Sequence, residues 1–409
     1  MKFDDYHIDS AIKKNIQSLG YKKPTDIQYK AIPPILKGED VMAIAQTGTG
    51  KTAAFVIPVL HLLLKTKRIS ANNYTRCVVM VPTHELAQQI AGVFDTLGNQ
   101  TGLRTLCIHG GVEQVPQIEA IAQGVDILVA TPGRVFDLVS QGFLKLYECE
   151  ILILDEADHM LDLGFIKDIR DLIKFLPRKR QTLFFSATLN DAIKKLAYSL
   201  VHNPIRIQIS PKDPVAKNIA HFVAFIDMDD KRFFLERLVL ENPDSKILVF
   251  VRTKVRAERV FKALERAEID SLTLHGDKEQ TERAKIMSNF RSGQAKVLIA
   301  TDISARGIDI PDVDFVINYD LPEQVENYVH RVGRTGRGAK KGMAYSFCSQ
   351  EEKILLTEIE EFLEKHISVL EISKTNYTAT LDLAEDKEDD WRSLMKNAET
   401  NDKPKKKKK

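Results

Sequence analysis

A glycine-rich segment near the start of the chain has residues that could bind the phosphates of a nucleotide. The segment AQTGTGKT (45–52) follows one apolar run and precedes another with helical spacing. It fits the pattern G-x-x-x-x-G-K-[ST], except that Ala45 takes the place of the first glycine. In such a loop, backbone N–H groups approach phosphate oxygens, Lys51 reaches the terminal phosphates and Thr52 offers a hydroxyl to Mg²⁺. The alternative is an ordinary glycine-rich turn that happens to carry a lysine.

Two carboxylates further along the chain could act on the same nucleotide. The segment EILILDEAD (150–158) places Asp155 and Glu156 directly after an apolar run. Carboxylates at the C-terminal edge of a parallel strand lie where ligands bind in open α/β sheets. There Asp155 could hold Mg²⁺, and Glu156 could orient or deprotonate the attacking water. One such carboxylate could simply cap a helix, but together with the phosphate loop the pair predicts a nucleoside triphosphatase.

Short, nearly continuous apolar runs alternate with longer segments, which predicts parallel strands joined by helices. Six runs precede a break in the pattern, at 41–45, 77–81, 126–130, 150–155, 182–186 and 205–209. Segment 86–98 has apolar residues at helical spacing and ends at a glycine, which predicts a helix. Five further runs follow the break, at 246–251, 271–275, 296–301, 314–319 and 343–348. Two consecutive α/β domains account for this arrangement.

The break between the two sets of strands divides the chain. Residues 210–218, SPKDPVAKN, contain two prolines and no apolar period, which predicts a linker. We therefore expect a first domain at 1–209 and a second at 219–372. Residues 373–409 are polar, with an acidic run and then five lysines, and they predict a disordered tail.

Composition excludes several classes of protein. The 409 residues are 44% hydrophobic and 28% charged, which is typical of soluble globular chains. The longest apolar stretch, 53–64, is too short to span a bilayer, and the acidic N-terminus does not resemble a secretory signal. The four scattered cysteines form no C-x-x-C pair, so they predict buried thiols in a reducing compartment. We expect a cytoplasmic protein with no membrane partner.

Net charge gives no sign of a nucleic-acid binder. The formal charge of the chain is +2, and residues 385–409 alone carry the same excess, with nine basic and seven acidic residues. The remaining residues are neutral overall. Any nucleic-acid site must therefore arise from the local placement of charges.

Residues 155–158 spell D-E-A-D, and the chain resembles the DEAD-box ATP-dependent RNA helicases of superfamily two. The resemblance rests on an ordered series of motifs over roughly residues 3–348. In the first half these are GYKKPTDIQ (20–28), the phosphate loop, PTHELAQQ (82–89), the glycine pair 110–111, TPGR (131–134), the D-E-A-D box and SAT (186–188). In the second half they are VFVRT (249–253), HGDKEQTER (275–283), ATDISARGID (300–309) and HRVGRTGR (330–337). With its short N-terminus and compact core, the sequence most resembles the bacterial RhlE-type members of the family.

The resemblance implies two RecA-like parallel-sheet domains in tandem, with ATP and Mg²⁺ as cofactors. Residues implied to bind the nucleotide are Phe3, Gln28, Ala45, Gln46, Thr47, Gly48, Thr49, Gly50, Lys51, Thr52 and Asp309. The implied catalytic residues are Lys51, Glu156, Arg334 and Arg337, and the implied metal ligands are Thr52 and Asp155. Phe3 is expected to stack on the base, with packing into the core as the alternative. Gln28 is expected to recognise the adenine edge, although outside this motif it would be a solvated helix residue.

Further residues are implied to couple the nucleotide to RNA. The coupling residues are Asp158, Ser186, Thr188 and His330. We expect the hydroxyls of Ser186 and Thr188 to bond to Asp158, with turn capping as the alternative. Arg334 and Arg337 are expected to act as arginine fingers when the domains close, or merely to contact phosphate.

RNA is the implied partner, held mostly through its backbone. The expected contacts are Thr83, His84, Gly110, Gly111, Thr131, Arg134, Arg252, Thr253, Gly276 and Thr301. They offer N–H, hydroxyl or guanidinium donors, which predicts little sequence specificity. His84 stands where the family usually has arginine, so its phosphate contact is expected to be weaker or pH-sensitive. Ser304 replaces a common alanine, which is a mild change.

Two points stay open from the sequence. The lysine run 405–409 could tether RNA non-specifically or form a solvated end. An RNA clamp that does not unwind, or a DNA helicase or translocase of the same superfamily, are the alternative functions. We expect a monomeric core that acts with ribosomal precursors or RNA-decay partners.

Overall fold

The protein divides into two compact units, each built on one parallel sheet. The computed structural model describes residues 2–45, 48–66, 74–209, 218–302, 313–336 and 341–381. The first unit is formed mainly by Met1–Pro214, and the second mainly by the chain from Val215 onward. Within the described residues, no helix combines the length and the apolar character that crossing a membrane requires.

The first unit has seven strands with helices between them. The strands are β1 Val41–Ala45, β2 Cys77–Met80, β3 Thr105–Ile108, β4 Ile127–Ala130, β5 Ile151–Leu154, β6 Gln181–Ser186 and β7 Ile205–Ile209. The helices are α1 Ser10–Ser18, α2 Asp26–Leu36, α3 Lys51–Lys65, α4 His84–Leu97, α5 Val115–Ala122, α6 Pro132–Ser140, α7 Ala157–Asp162, α8 Ile166–Ile173 and α9 Asp191–Leu200. A short 3₁₀ helix, Phe3–Asp5, precedes them.

The sheet of the first unit is covered on both faces, as its apolar strands require. Successive side chains of a strand point to opposite faces, and Phe184 and Phe185 of β6 accordingly belong to two different core clusters. The ring of Phe185 packs 5.2 Å from that of Phe55, which lies on α3. Helix α3 is thereby fixed against the sheet directly after the phosphate loop.

The second unit also has seven strands. They are β8 Ile219–Phe225, β9 Ile247–Val251, β10 Ser271–Leu274, β11 Val297–Thr301, β12 Phe315–Asn318, β13 Gly342–Cys348 and β14 Ser368–Val369. Its helices are α10 Lys231–Glu241, α11 Lys254–Arg266, α12 Gln280–Ser292, α13 Val325–Val332 and α14 Lys353–Leu363. A 3₁₀ helix at Gln350–Glu352 precedes α14.

Both sheets have the same topology. The strand order is β3-β4-β2-β5-β6-β1-β7 in the first unit and β10-β11-β9-β12-β13-β8-β14 in the second. Counting strands from the start of each unit gives one identical order, and the pairings between the described strands are parallel. The predicted tandem of two RecA-like parallel-sheet domains is confirmed.

The predicted strands are confirmed to within one residue at each end, and the predicted helix 86–98 is observed as α4. Three strands were not predicted. β3 is only partly buried and β14 has two residues, so neither has the continuous apolar run that marks a central strand. β8 mixes exposed and buried positions. The predicted linker 210–218 lies outside the described residues except for its last residue.

The predicted start of the disordered tail at residue 373 is wrong. Residues 374–381 are helical and pack on the second unit. The ring of Tyr377 lies 4.9 Å from that of Phe234, and its hydroxyl donates to Asp230 at 2.8 Å. One aromatic anchor therefore orders a segment whose composition is otherwise polar. The rest of the predicted tail, 382–409, lies outside the described residues.

The cysteine prediction agrees with the structure. Cys77, Cys149 and Cys348 are buried and Cys107 is half-buried, and all four are free thiols.

Candidate functional site

The order of the strands brings the predicted motifs of the first unit into two groups. Strands β5, β6 and β1 are neighbours, so the phosphate loop, the D-E-A-D box and the SAT motif follow adjacent strand ends. Strands β3, β4 and β2 are also neighbours, and the predicted RNA contacts follow their ends. Ligands bind at the carboxyl ends of strands in such sheets, so the two groups define two adjoining stretches of one sheet edge.

The phosphate loop is followed by a buried positive charge at the start of α3. Lys51 is the first residue of α3 and is 6% exposed, and its ammonium nitrogen makes no hydrogen bond to the described residues. A buried ammonium group without a partner is unfavourable, so this one is suited to bind an anion. Of the other predicted loop residues, Gln46 and Thr47 lie outside the described residues.

Gln28 connects its motif to the phosphate loop. Its side-chain oxygen accepts a hydrogen bond from the Thr25 N–H at 2.9 Å, and its amide nitrogen donates to the Gly50 carbonyl at 3.1 Å. Gly50 has a φ of 91°, and a Cβ built there would lie 2.6 Å from the Gln28 amide nitrogen. The loop therefore requires glycine at this position, and Gln28 is a buried capping residue rather than a solvated one.

Phe3 packs into the core of the first unit, which is the alternative to stacking on the base. It is 4% exposed and belongs to the core of the first unit. Its ring lies 6.3 Å from the rings of both Tyr6 and Tyr21. The structure therefore supports packing in the core rather than an open stacking surface. Tyr21, within the same predicted motif, is the exposed aromatic residue beside it.

Asp155 and Glu156 follow β5 as predicted. Asp155 is buried, and burial raises the pKa of its carboxyl to about 6, an effect that the Lys51 charge opposes. Its side chain accepts a hydrogen bond from the Glu156 N–H at 3.0 Å. Glu156 has a φ of 50°, in the left-handed region, and such strain in a non-glycine residue is concentrated at functional sites. His159, which the sequence did not single out, places its Nδ1 3.5 Å from the Glu156 carboxylate.

The link between Asp158 and the SAT motif is present, with one correction. The Asp158 carboxylate accepts hydrogen bonds from the N–H of Ala187 at 3.1 Å, the N–H of Thr188 at 3.0 Å and the Thr188 hydroxyl at 3.1 Å. Ser186 was expected to bond to Asp158 as well, but its buried hydroxyl has no hydrogen-bond partner within the described parts of the chain. Ser186 is the last residue of β6, so its orientation is set by the pleat of the strand.

The predicted RNA contacts of the first unit lie after β2, β3 and β4. The Thr83 hydroxyl accepts a hydrogen bond from the Leu86 N–H at 3.3 Å and caps α4. The ring of His84 stacks on that of His109 at 4.6 Å, and Gly111 lies against His84 with a φ of 74°. Arg134 donates an N–H of one terminal guanidinium nitrogen to the Val112 carbonyl, and its other terminal nitrogen is buried and has no hydrogen-bond partner among the described residues. This nitrogen is a donor suited to an anion.

The corresponding residues of the second unit follow β9, β10 and β11. Thr253 caps α11 as Thr83 caps α4, accepting from the Arg256 N–H at 3.1 Å. Arg252 is engaged by protein groups, including the Glu352 carboxylate at 3.2 Å. Gly276 lies in open space, because a Cβ built there would meet no atom within 4 Å. Thr301 is buried at the end of β11.

A buried arginine next to the predicted fingers was missed. Arg331 lies on α13 and pairs with both carboxylate oxygens of Asp302 at 2.6 and 2.7 Å. Both residues belong to motifs identified in the sequence, and a carboxylate directly after a strand is the signal that could have indicated the pair. Arg334 donates to the His330 carbonyl at 3.3 Å. Arg337 and Asp309 lie outside the described residues.

The residues present fit a magnesium–nucleotide complex. Mg²⁺ usually takes one or two carboxylates, with nucleotide phosphates and water completing its shell. Asp155 follows β5 and Thr52 lies in the first turn of α3 after β1, with β6 between these two strands, and the charge of the buried Lys51 ammonium acts on the Asp155 carboxylate. In the part of the chain that the structure describes, no group of three or more Asp, Glu, His or Cys side chains is arranged so that it could hold a metal ion.

Two sequence families match the chain. The family model for DEAD/DEAH box helicases matches residues 25–196, and that for the helicase conserved C-terminal domain matches residues 230–339. The chain is 40% identical to the ATP-dependent RNA helicase RhlB of Shewanella sediminis, over 92% of this chain and 86% of that protein. It is 38% identical to the DEAD-box ATP-dependent RNA helicase RhpA of Helicobacter pylori, over 91% and 75% of the two chains.

A solved structure also resembles the protein. Dbp5 of S. cerevisiae, bound to RNA and ADP BeF3, has a TM-score of 0.81 to this chain at 29% identity. The match covers 95% of this chain and 98% of that one.

Proposed function

The chain belongs to the DEAD/DEAH box helicase family and is an ATP-dependent RNA helicase of the DEAD-box type; from this we propose that its two units close together on RNA and ATP. Closure would grip one strand and separate a short duplex locally, and ATP hydrolysis would release the strand. The observation that carries this proposal is the buried ammonium of Lys51, which makes no hydrogen bond to the described residues and whose charge acts on the Asp155 carboxylate after β5.

We assign the chemistry of ATP to the first unit. Lys51 would bind the terminal phosphates, and the carboxamide of Gln28 keeps one N–H and one lone pair for the adenine edge. Thr52 and Asp155 would hold Mg²⁺, which when bound neutralises charge on the phosphates. Glu156 would accept a proton from the attacking water, with His159 nearby to orient its carboxylate.

Coupling between ATP and RNA is assigned to the Asp158–Thr188 link. This link joins the segment after β5 to the segment after β6, so a shift of one segment is transmitted to the other. Arg334 and Arg337 would reach the γ-phosphate only on closure, and an arginine finger is worth about 10³–10⁵ in rate. If RNA is needed for closure, hydrolysis depends on RNA.

RNA would be held through its backbone by the residues after β2, β3 and β4 and after β9, β10 and β11. The capping hydroxyls of Thr83 and Thr253 each keep their hydrogen as a donor for phosphate. Because these contacts do not involve base edges, we expect little sequence preference. Ribosome assembly and RNA turnover are the proposed settings.

The domain limits remain our proposal, with one revision. We place the first domain at 1–209, the linker at 210–218 and the second domain from 219 onward. The anchoring of Tyr377 extends the second domain to residue 381.

The proposal is tested by steady-state ATP hydrolysis without nucleic acid, with single-stranded RNA and with DNA of the same sequence. We expect strong stimulation by RNA alone, and its loss in Arg334→Ala. A strand-displacement assay then distinguishes unwinding from clamping. Equal stimulation by DNA, or none by either nucleic acid, would contradict the proposed RNA dependence.

A further inference from the structure

A basic cleft lies between two helices of the second unit, outside the motif series. It has a volume of about 410 Å³ and is lined mainly by residues of α11, together with Arg232 of α10, the segment before α10 and Tyr319 after β12. Five of its lining residues are basic, and one lining residue, Asp229, is acidic. The basic residues are Arg232, Arg256, Arg259, Lys262 and Arg266. None of them belongs to a motif by which the family was identified.

Four of these side chains share one face of α11. Arg256, Arg259, Lys262 and Arg266 follow one another at intervals of three or four residues, so they lie along the same side of the helix. At about 1.5 Å per residue, the row extends about 15 Å. Neighbouring like charges repel one another unless an anion lies among them. In the described part of the chain, Arg259, Lys262 and Arg266 form no ion pair that would neutralise them.

One end of the row adjoins the predicted RNA contacts of the unit. Arg256 begins the row one turn after Thr253, to which its N–H donates at 3.1 Å. The Asp320 carboxylate accepts a hydrogen bond from the Arg252 N–H at 2.9 Å and lies 3.7 Å from the Arg256 guanidinium. The row of basic residues therefore begins next to the predicted contacts at Arg252 and Thr253.

The chemistry of the lining favours phosphate over an acidic peptide. A guanidinium group can bind phosphate through two parallel N–H donors. A peptide partner would need an apolar pocket for an anchoring side chain. The aromatic and branched aliphatic residues of the lining, Tyr319 and Val260, are only 4% and 3% exposed. They offer little surface to such an anchor.

We propose that this cleft binds phosphodiester groups of RNA that extends beyond the strand held at Arg252 and Thr253. The proposal rests on the proposed RNA-dependent function of the chain. The cleft adds affinity without reading sequence, since phosphate contacts position RNA but do not distinguish bases. It also makes affinity depend on the length of the RNA.

The test uses the full chain and the double variant Arg259→Gln/Lys262→Gln. Both positions are exposed, and glutamine keeps the helix propensity of α11. The control, Arg178→Gln/Lys365→Gln, removes the same charges at exposed positions that do not line the cleft. Affinity for a short single-stranded RNA and for one several times longer is measured over a range of salt concentrations. ATP hydrolysis with the short RNA and binding of a poly-glutamate peptide are measured in parallel.

We expect the cleft variant to bind the long RNA more weakly, with the slope of log affinity against log salt reduced by about 1.4. Its affinity for the short RNA and its ATP hydrolysis should match the wild type, and the control should match it throughout. An unchanged slope with the long RNA overturns the proposal, and loss of poly-glutamate binding in that case would assign the cleft to an acidic protein segment. Failure of the wild type to show RNA-stimulated hydrolysis would instead reject the proposed function.

Discussion

Two lysines are buried among the described residues, one in each unit, and their ammonium groups have different surroundings. Lys51 of the first unit is buried at the start of α3, and its nitrogen has no hydrogen-bond partner in the part of the chain that the structure describes. Lys231 of the second unit is 0% exposed and donates to the Tyr319 carbonyl at 2.7 Å and to the Glu352 carboxylate. Burial lowers the pKa of Lys231, and Glu352 opposes this effect.

The comparison distinguishes the charge of Lys231, which stabilises the fold, from the charge of Lys51, which is suited to bind a ligand. Glu352 satisfies Lys231 and also accepts from the Leu321 N–H at 3.1 Å and from Arg252 at 3.2 Å. That network leaves Lys231 no capacity to bind a substrate, and it positions a predicted RNA contact instead. Lys51 has the opposite arrangement: none of the described residues accepts a hydrogen bond from its ammonium group, so this group is suited to bind an anion from outside the protein.

The largest effect is expected when the network of the second unit is broken. Lys231→Met removes the buried cation that pairs with the Glu352 carboxylate and leaves only the partly exposed Arg252 beside it, so we expect the free energy of unfolding to fall by about 3–5 kcal/mol. Urea unfolding of the full chain measures this loss. The double variant Lys231→Met/Glu352→Gln should recover part of it, because the uncompensated charge is removed. A single variant as stable as the wild type would refute the structural role of the pair.

The same substitution at the other lysine should affect activity instead of stability. Lys51→Met removes a phosphate-binding charge, so we expect ATP turnover to fall by about 10²–10³. Without nucleotide, the free energy of unfolding should stay the same or rise, because a partnerless buried ammonium group is lost. Steady-state hydrolysis and urea unfolding are measured on one preparation. A large loss of stability together with normal turnover would reverse the assignment.

A half-buried histidine of the second unit, His221, adds a prediction about how stability depends on pH. His221 lies 2.9 Å from the Tyr328 hydroxyl, and burial, followed by the charge of Lys365, lowers its pKa from 6.5 to about 4. As the pH falls below 6.5, His221 takes up a proton in the unfolded chain before it does so in the folded protein. The free energy of unfolding therefore decreases between pH 6.5 and pH 4. At pH 5 the loss should be about 2 kcal/mol. His221→Gln should remove this part of the acid sensitivity, measured as urea midpoints at pH 7 and pH 5, and an equal drop in both proteins would exclude it.

The sequence predicted much of the fold and of the nucleotide site for identifiable reasons. Central strands such as β1 and β5 are covered on both faces, so their composition alone marks them. The phosphate loop and the D-E-A-D box require particular residue types at fixed spacing, so they are recognisable without a structure. The strands that were missed, β3, β8 and β14, are the partly exposed or very short ones.

Local patterns did not determine which groups find partners. The hydroxyls of Ser186 and Thr188 are equivalent in the motif, yet only that of Thr188 reaches Asp158. Phe3 packs into the core, and the ordered helix 374–381 depends on Tyr377 contacting Phe234 and Asp230, residues far from it in sequence. Such contacts join distant parts of the chain and leave no periodic signal.

The amino-acid sequence by itself determined the family, the two parallel sheets and the residue types of the nucleotide site, because these follow from local composition and spacing. The tertiary structure decided the strand order that groups the motifs along each sheet edge. It also decided that Lys231 is neutralised while Lys51 is not, and that the basic residues of α11 line a cleft. Each depends on which side chains meet across the fold, and burial sets the strength of the resulting charge interactions.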